Sequence, residues 1–214
     1  MFRILFLICI AFGAWQLYTK GNPLRSGAPV KGPDGKPLVI LFSGPDCGAN
    51  CGNIRTELQA RKVSFREVEM SGPDDKTAVQ YRVNAYPTTM VGERMLVGSD
   101  VRPLGGVLAE AFGEEVLTRT EKMAMSNHFD AQGKPKVVLY GTKWCGYCRK
   151  QRELFAAKGV AFDDIDVEAD ERGMLAYSAL KGSGYPLTYV GYRRYDGFND
   201  DQLMASAEAT LKAR

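Results

Sequence analysis

The chain repeats one order of apolar and polar segments twice. Leu38-Val39-Ile40-Leu41-Phe42 and Val137-Val138-Leu139-Tyr140 are short apolar runs that read as strands. Helical patterns follow them. Val63-Ser64-Phe65 then matches Val160-Ala161-Phe162, and Val68 matches Ile165. Tyr86-Pro87-Thr88-Thr89-Met90-Val91-Gly92 matches Tyr185-Pro186-Leu187-Thr188-Tyr189-Val190-Gly191, and Gly98 matches Gly197. The offset stays between 97 and 99 throughout. A fixed long period is the signature of duplicated units, and each unit of about 80 residues is long enough for a small core. The second copy predicts strand Val137–Tyr140, helix Cys145–Lys158, strand Ala161–Val167, helix Glu171–Leu180, strands Thr188–Val190 and Arg193–Tyr195, and helix Asp200–Lys212. That last helix puts Leu203, Met204, Ala207 and Leu211 on one face. The first copy predicts helices near Cys51–Arg61, Asp74–Arg82 and Val101–Phe112. A strand–helix–strand start calls for a parallel pair with a right-handed crossover, and the proline-led hairpin adds antiparallel strands.

The segments outside the repeat divide the rest. Ile4 to Tyr18 is an apolar run broken only by Gln16, shorter than the roughly 20 residues that span a hydrocarbon core. It reads as an uncleaved signal anchor or as a cleaved signal peptide within residues 1–20, the anchor being preferred; a buried N-terminal helix is the bland alternative. Residues 21–36, rich in Gly and Pro, read as a flexible tether. Domain 1 is expected over 37–118, a polar linker over 119–135 and domain 2 over 136–214. The chain of 214 residues carries a net charge of +3, too mild to imply a nucleic-acid partner.

The candidate chemistry lies in the cysteines. Cys9 falls in the apolar leader, and the other four form two close pairs. Close pairs close tiny loops and add little stability, so a structural disulfide scaffold explains them poorly. Cys145-Gly146-Tyr147-Cys148 sits at a strand-to-helix junction. Positions i and i+3 of a helix lie roughly 5 Å apart, within disulfide range. The helix N-terminus favours a thiolate at the leading cysteine. An attacking thiolate and a resolving thiol are the parts of dithiol–disulfide exchange. A zinc half-site is the competing reading, but it needs two more ligands and the chain's only His is His128. Lys143, Arg149, Lys150 and Arg152 are expected to help lower the pKa of Cys145, modestly because they are exposed charges.

The first pair, Cys47-Gly48-Ala49-Asn50-Cys51, has one residue more, and Asp46 stands where Trp144 stands in the second copy. Positions i and i+4 remain bridgeable at roughly 6 Å, but a neighbouring carboxylate raises a thiol pKa. This copy reads as a modified redox site or as a degenerate docking domain; a soft-metal site for copper is a further alternative.

With the strand, the Cys-Gly-Tyr-Cys motif, the proline before the hairpin and Gly197-Phe198-Asn199-Asp200-Asp201 before the last helix, each copy resembles a glutaredoxin of the thioredoxin superfamily. The resemblance implies two α/β thioredoxin-fold domains in tandem, each a mixed four-stranded sheet with flanking helices. It implies a cis proline beside the disulfide, at Pro186. It also implies a glutathione site at Tyr185, Pro186, Asn199 and Asp200, with protein or glutathione disulfides as substrates and no metal. Two departures stand out: Gly146 follows the first cysteine where the family usually has Pro, and Gly184-Tyr185 precedes the cis proline. The expectation is an exported, membrane-tethered thiol–disulfide oxidoreductase of the cell envelope, with Cys145 as nucleophile, Cys148 resolving, and Cys47 and Cys51 as a second candidate pair.

Overall fold

The structure, a computed structural model, describes residues 30–72, 75–198 and 201–212. The apolar run Ile4–Tyr18, Asn199 and Asp200 lie outside them. Among the described residues no helix is long and apolar enough to cross a membrane.

The first copy contains β1 (Val39–Ser43), α1 (Gly48–Ala60), β2 (Arg66–Glu69), α2 (Lys76–Tyr81), β3 (Thr88–Val91), β4 (Arg94–Val97) and α3 (Leu104–Phe112). After α4 (Arg119–Met125), the second copy repeats the order as β5 (Val137–Gly141), α5 (Gly146–Ala157), β6 (Phe162–Asp166), α6 (Glu171–Ala179), β7 (Leu187–Val190), β8 (Arg193–Asp196) and α7 (Asp201–Lys212). The sheets have matching orders, β2-β1-β3-β4 and β6-β5-β7-β8. In each, the first strand pairs parallel with the second and antiparallel with the third.

The uninterrupted apolar runs follow from this placement. Each first strand is central and covered on both faces, so both side-chain sets are apolar. Val39 and Leu41 pack with Ile54 and Leu58 of α1 and with Leu104 and Leu108 of α3. Ile40 and Phe42 face the other way, onto Ala78 and Tyr81 of α2. In the second copy Val137 packs with Phe155, Leu203 and Ala207, and Val138 and Tyr140 pack with Ala176 and Leu180.

The structural repeat starts before the strands. Lys31 bridges Pro37 as Phe129 bridges Pro135, with Leu38 N–H donating to Val30 O and Lys136 N–H to His128 O. Gly35-Lys36-Pro37 recurs as Gly133-Lys134-Pro135. His128 ends up fully buried in this bracket, and burial pushes it down to about 4. Its Nδ1 lies 3.0 Å from Gly191 O, a carbonyl that can only accept. Nδ1 therefore carries the proton, and Nε2 accepts from the Tyr140 hydroxyl at 2.9 Å.

The polar stretch between the sheets is helical. Thr118 and Glu121 form a capping box at the start of α4, while Ala124 and Met125 enter the core of the second copy. Glu121 also receives both Nη atoms of Arg61, at 2.8 and 2.7 Å, and Glu57 takes a third bond from the same guanidinium at 2.6 Å. Burial pushes the Glu121 carboxyl up, but bonds from Arg61 and Thr118 outweigh it and hold it below the usual carboxylate range. Elsewhere Glu110 of α3 pairs with Arg193 of β8 at 2.6 Å and with Arg94 of β4 at 3.8 Å. Gly106 of α3 lies so close to the Tyr192 carbonyl that no β-carbon fits there. The copies are thus joined by a built seam.

Candidate functional site

Cys145 is the N-cap of α5, in extended conformation at φ −69°, ψ 109°. The backbone turns into the helix only at Gly146, so the first-turn N–H groups are left facing the cap. One of them, Cys148 N–H, donates to Cys145 Sγ at 3.1 Å. The two cysteines are disulfide-bonded with a Cα–Cα distance of 5.2 Å. Cys148 is fully buried and Cys145 is 6% exposed, which leaves the leading sulfur as the approachable one. Gly141, at the end of β5, leaves room for this packing, since a β-carbon there would lie 2.9 Å from Cys148 Sγ.

The expected neighbours converge on the pair. The Tyr185–Pro186 peptide is cis. Tyr185 packs edge-on against Trp144, ring centroids 6.0 Å apart, and stacks on Tyr177 at 5.1 Å. Gly197 N–H donates to Pro186 O at 2.8 Å, and Phe198 stacks on Tyr147 at 6.2 Å. Trp144, Tyr147, Tyr185 and the start of the Gly197 turn therefore surround Cys145, with Cys148 and Pro186 buried. Trp144 and Tyr147 are the most exposed of these, at 69% and 60%.

The four basic residues around the pair each have a local contact. Arg152 is bound by Asp164 at 2.8 Å, Lys143 lies 3.8 Å from Asp166, Arg149 lies 4.0 Å from Glu153, and Lys150 sits over the Tyr147 ring. Three of the four thus have a carboxylate partner, which offsets part of their charge. Trp144 Nε1–H adds a carboxylate to the rim by donating to Glu168 at 2.9 and 3.0 Å.

The first site has the same frame and a different cap. Cys47 and Cys51 are disulfide-bonded with Cα–Cα 5.4 Å, and Tyr86–Pro87 is cis, its Pro87 carbonyl accepting from Gly98 N–H at 2.8 Å. Cys47, however, is already helical at φ −70°, ψ −31°, and its side chain accepts no capping bond. With three residues between the cysteines, Cys51 N–H is spent on the Cys47 carbonyl at 3.2 Å. Asp46 is exposed where Trp144 stands in the other copy. The Tyr86 ring lies over Gly44, too close for any side chain there.

One feature escaped the sequence reading. Arg55 follows Cys51 by four residues and is bound by Glu67 at 2.7 Å; Arg152 follows Cys148 by four and is bound by Asp164. Glu67 and Asp164 hold the same register, opposite Leu41 and Leu139. The shared offset of 97 from Arg55 to Arg152 was the available signal.

Comparison with known proteins agrees with this geometry. A glutaredoxin family model matches residues 137–192. A glutaredoxin of Pseudomonas aeruginosa is 35% identical over 68 residues, covering 31% of this chain and 80% of the relative. Among solved structures, a glutaredoxin from Populus tremula x tremuloides is 19% identical with TM-score 0.35, covering 44% of this chain and 99% of that one. A buckwheat glutaredoxin–glutathione complex is 21% identical with TM-score 0.34, covering 45% and 94%. Two mixed sheets of one topology, each with a cysteine pair at the head of its first helix, accompany a relative matched over four-fifths of its own length, and on that match the chain belongs to the glutaredoxin family.

Proposed function

We propose that the protein is a thiol–disulfide oxidoreductase working by dithiol exchange at Cys145 and Cys148. The observation that carries this is the Cys148 N–H aimed at Cys145 Sγ at a helix N-terminus. Once the pair is reduced, that N–H and the helix dipole favour the Cys145 thiolate over the thiol. The thiolate attacks one sulfur of a substrate disulfide, whose S–S bond breaks, and the departing sulfur takes up a proton. Cys148, as thiolate, then attacks Cys145 Sγ and releases the second substrate thiol. Two electrons have passed to the substrate and the Cys145–Cys148 disulfide remains. Run backwards, the same steps oxidise a substrate dithiol.

We assign glutathione, or a glutathionylated protein, to the surface of Tyr185, Pro186, Asn199 and Asp200. Membership of the glutaredoxin family supports this choice. Cys47 and Cys51 form a second and less reactive pair. On the apolar run Ile4–Tyr18 we place the domains outside the cytoplasm on a membrane tether; cell fractionation that finds them in the cytoplasm contradicts this.

The test is reduction of insulin and of a glutathionylated peptide by the full chain. Cys145→Ser is expected to abolish both reactions. Cys148→Ser is expected to trap a mixed disulfide at Cys145, visible by mass spectrometry. Unchanged turnover in Cys145→Ser overturns the assignment.

A further inference from the structure

The loop that leads into the cis proline of the second site is Gly182-Ser183-Gly184-Tyr185, where the first copy has Val83-Asn84-Ala85-Tyr86. Two glycines in four residues make this loop costly to order. Gly182 is required, because the Tyr177 ring occupies the space of any β-carbon there. Within its own domain the loop is held by the Tyr177 hydroxyl donating to Gly184 O at 3.1 Å, and by Arg194, whose guanidinium bonds Leu180 O at 2.5 Å.

Two further holds come from the other domain. Arg102, just before α3, donates through Nη1 to Ser183 Oγ and lies 3.8 Å from Asp196, the carboxylate that also pairs with Arg194. The Asp100 carboxylate fixes Arg102 in place, accepting from its guanidinium at 2.6 to 3.0 Å and from the Arg102 backbone N–H at 2.9 Å. Glu57 of α1 pairs with Lys181 at 3.3 Å, one residue before the loop. In the aligned repeat, Asp100 and Arg102 stand where the second copy has Asn199 and Asp201.

We infer that Arg102 is a positioning residue for the second site: the first domain clamps the Gly182–Tyr185 loop, so that Tyr185 and Pro186 meet a substrate already ordered. The segment before α3 of the first domain thus also holds its neighbour's loop. This assignment rests on the proposed chemistry of Cys145, and its test separates the two.

The test compares the full-length chain with Arg102→Ala, Arg102→Lys and Ser183→Ala, the last removing only a hydroxyl. Amide hydrogen exchange at residues 182–185 is read alongside KM and kcat for a glutathionylated peptide. Arg102→Ala is expected to speed exchange in the loop several-fold and to raise KM about fivefold, with kcat within about twofold. Ser183→Ala is expected to do the same more weakly, and Arg102→Lys to recover part of the loss. Loop exchange and KM equal to wild type in both alanine variants overturn the clamp. A wild-type chain without turnover overturns the chemistry, while its loop exchange rates still decide the clamp.

Discussion

The two cysteine pairs occupy the same place in the same fold and differ in what meets the leading sulfur. Cys145 is an extended cap residue and receives Cys148 N–H. Cys47 caps its helix in a helical conformation with no bond to its sulfur, and the N–H of its partner is spent on the Cys47 carbonyl. The inserted residue moves the pair from i, i+3 to i, i+4, so the N–H of the second cysteine meets the cap carbonyl rather than the cap sulfur. The disulfide survives in both, because Cα distances of 5.2 and 5.4 Å lie in the normal range. Cross-linking geometry tolerates the insertion; the hydrogen bond to the leading sulfur is not formed at Cys47. The seam shows the same divergence. At the C-terminal end of the first helix, Arg61 is buried between Glu57 and Glu121, while its counterpart Lys158 is exposed. The first copy has gained interdomain bonds where the second has kept its cap.

The sharpest break of this comparison is chemical. Cys145→Ser is expected to lower insulin reduction by about a thousandfold or more, and Cys47→Ser to leave it within about twofold. Comparable losses in both would make the pairs equivalent.

Next in size is the seam. Arg61→Ala leaves Glu121 buried without its cation and is expected to cost about 3–5 kcal/mol in denaturant unfolding. Lys158→Ala, at the matching helix end, is expected to cost less than about 0.5 kcal/mol.

Acid acts through His128, which has no counterpart in the first copy, where Val30 stands. Burial lowers it to about 4, so between roughly pH 6.5 and 4 the unfolded chain binds the proton and the folded chain does not. Stability from this group is complete above about pH 6.5 and is lost as pH falls to 4, about 3 kcal/mol in all. Urea unfolding at pH 7 and 4.5 is expected to show this slope, and His128→Gln to flatten it.

The smallest effect concerns the ion pairs that both copies share. Arg55→Ala and Arg152→Ala are each expected to cost no more than about 1 kcal/mol, since both pairs are partly solvated.

Much of the fold was legible because the duplication printed it twice. Strand runs, the proline before each hairpin and the Gly98/Gly197 pair fixed the register, and every element of the second copy lies within about two residues of its expected bounds. The face of α7 was readable too, with Leu203 and Ala207 fully buried. What stayed hidden depends on partners distant in sequence. The helix α4 reads as polar linker because only Ala124 and Met125 face a core, and that core belongs to the next domain. The sequence gives no role to His128, which is buried with Gly191 and Tyr140 at its two nitrogens. The basic residues around Cys145 look unopposed until β6 delivers Asp164 and Asp166 beside them. Charge counted along a sequence overstates the field at a thiol whenever a neighbouring strand carries the opposite sign.

The central claim is that the helix N–H at Cys145, absent at Cys47, sets which sulfur reacts. The direct measurement is the pH dependence of iodoacetamide alkylation at each cysteine of the fully reduced chain, resolved by mass spectrometry. A charge-assisted hydrogen bond contributes about 1.5–3 kcal/mol, which is about one to two pKa units. Cys145 is expected to titrate at least about one unit below both Cys47 and the roughly 8.5 of a free thiol. Equal titration of Cys145 and Cys47, or a lower value at Cys47, would contradict the account.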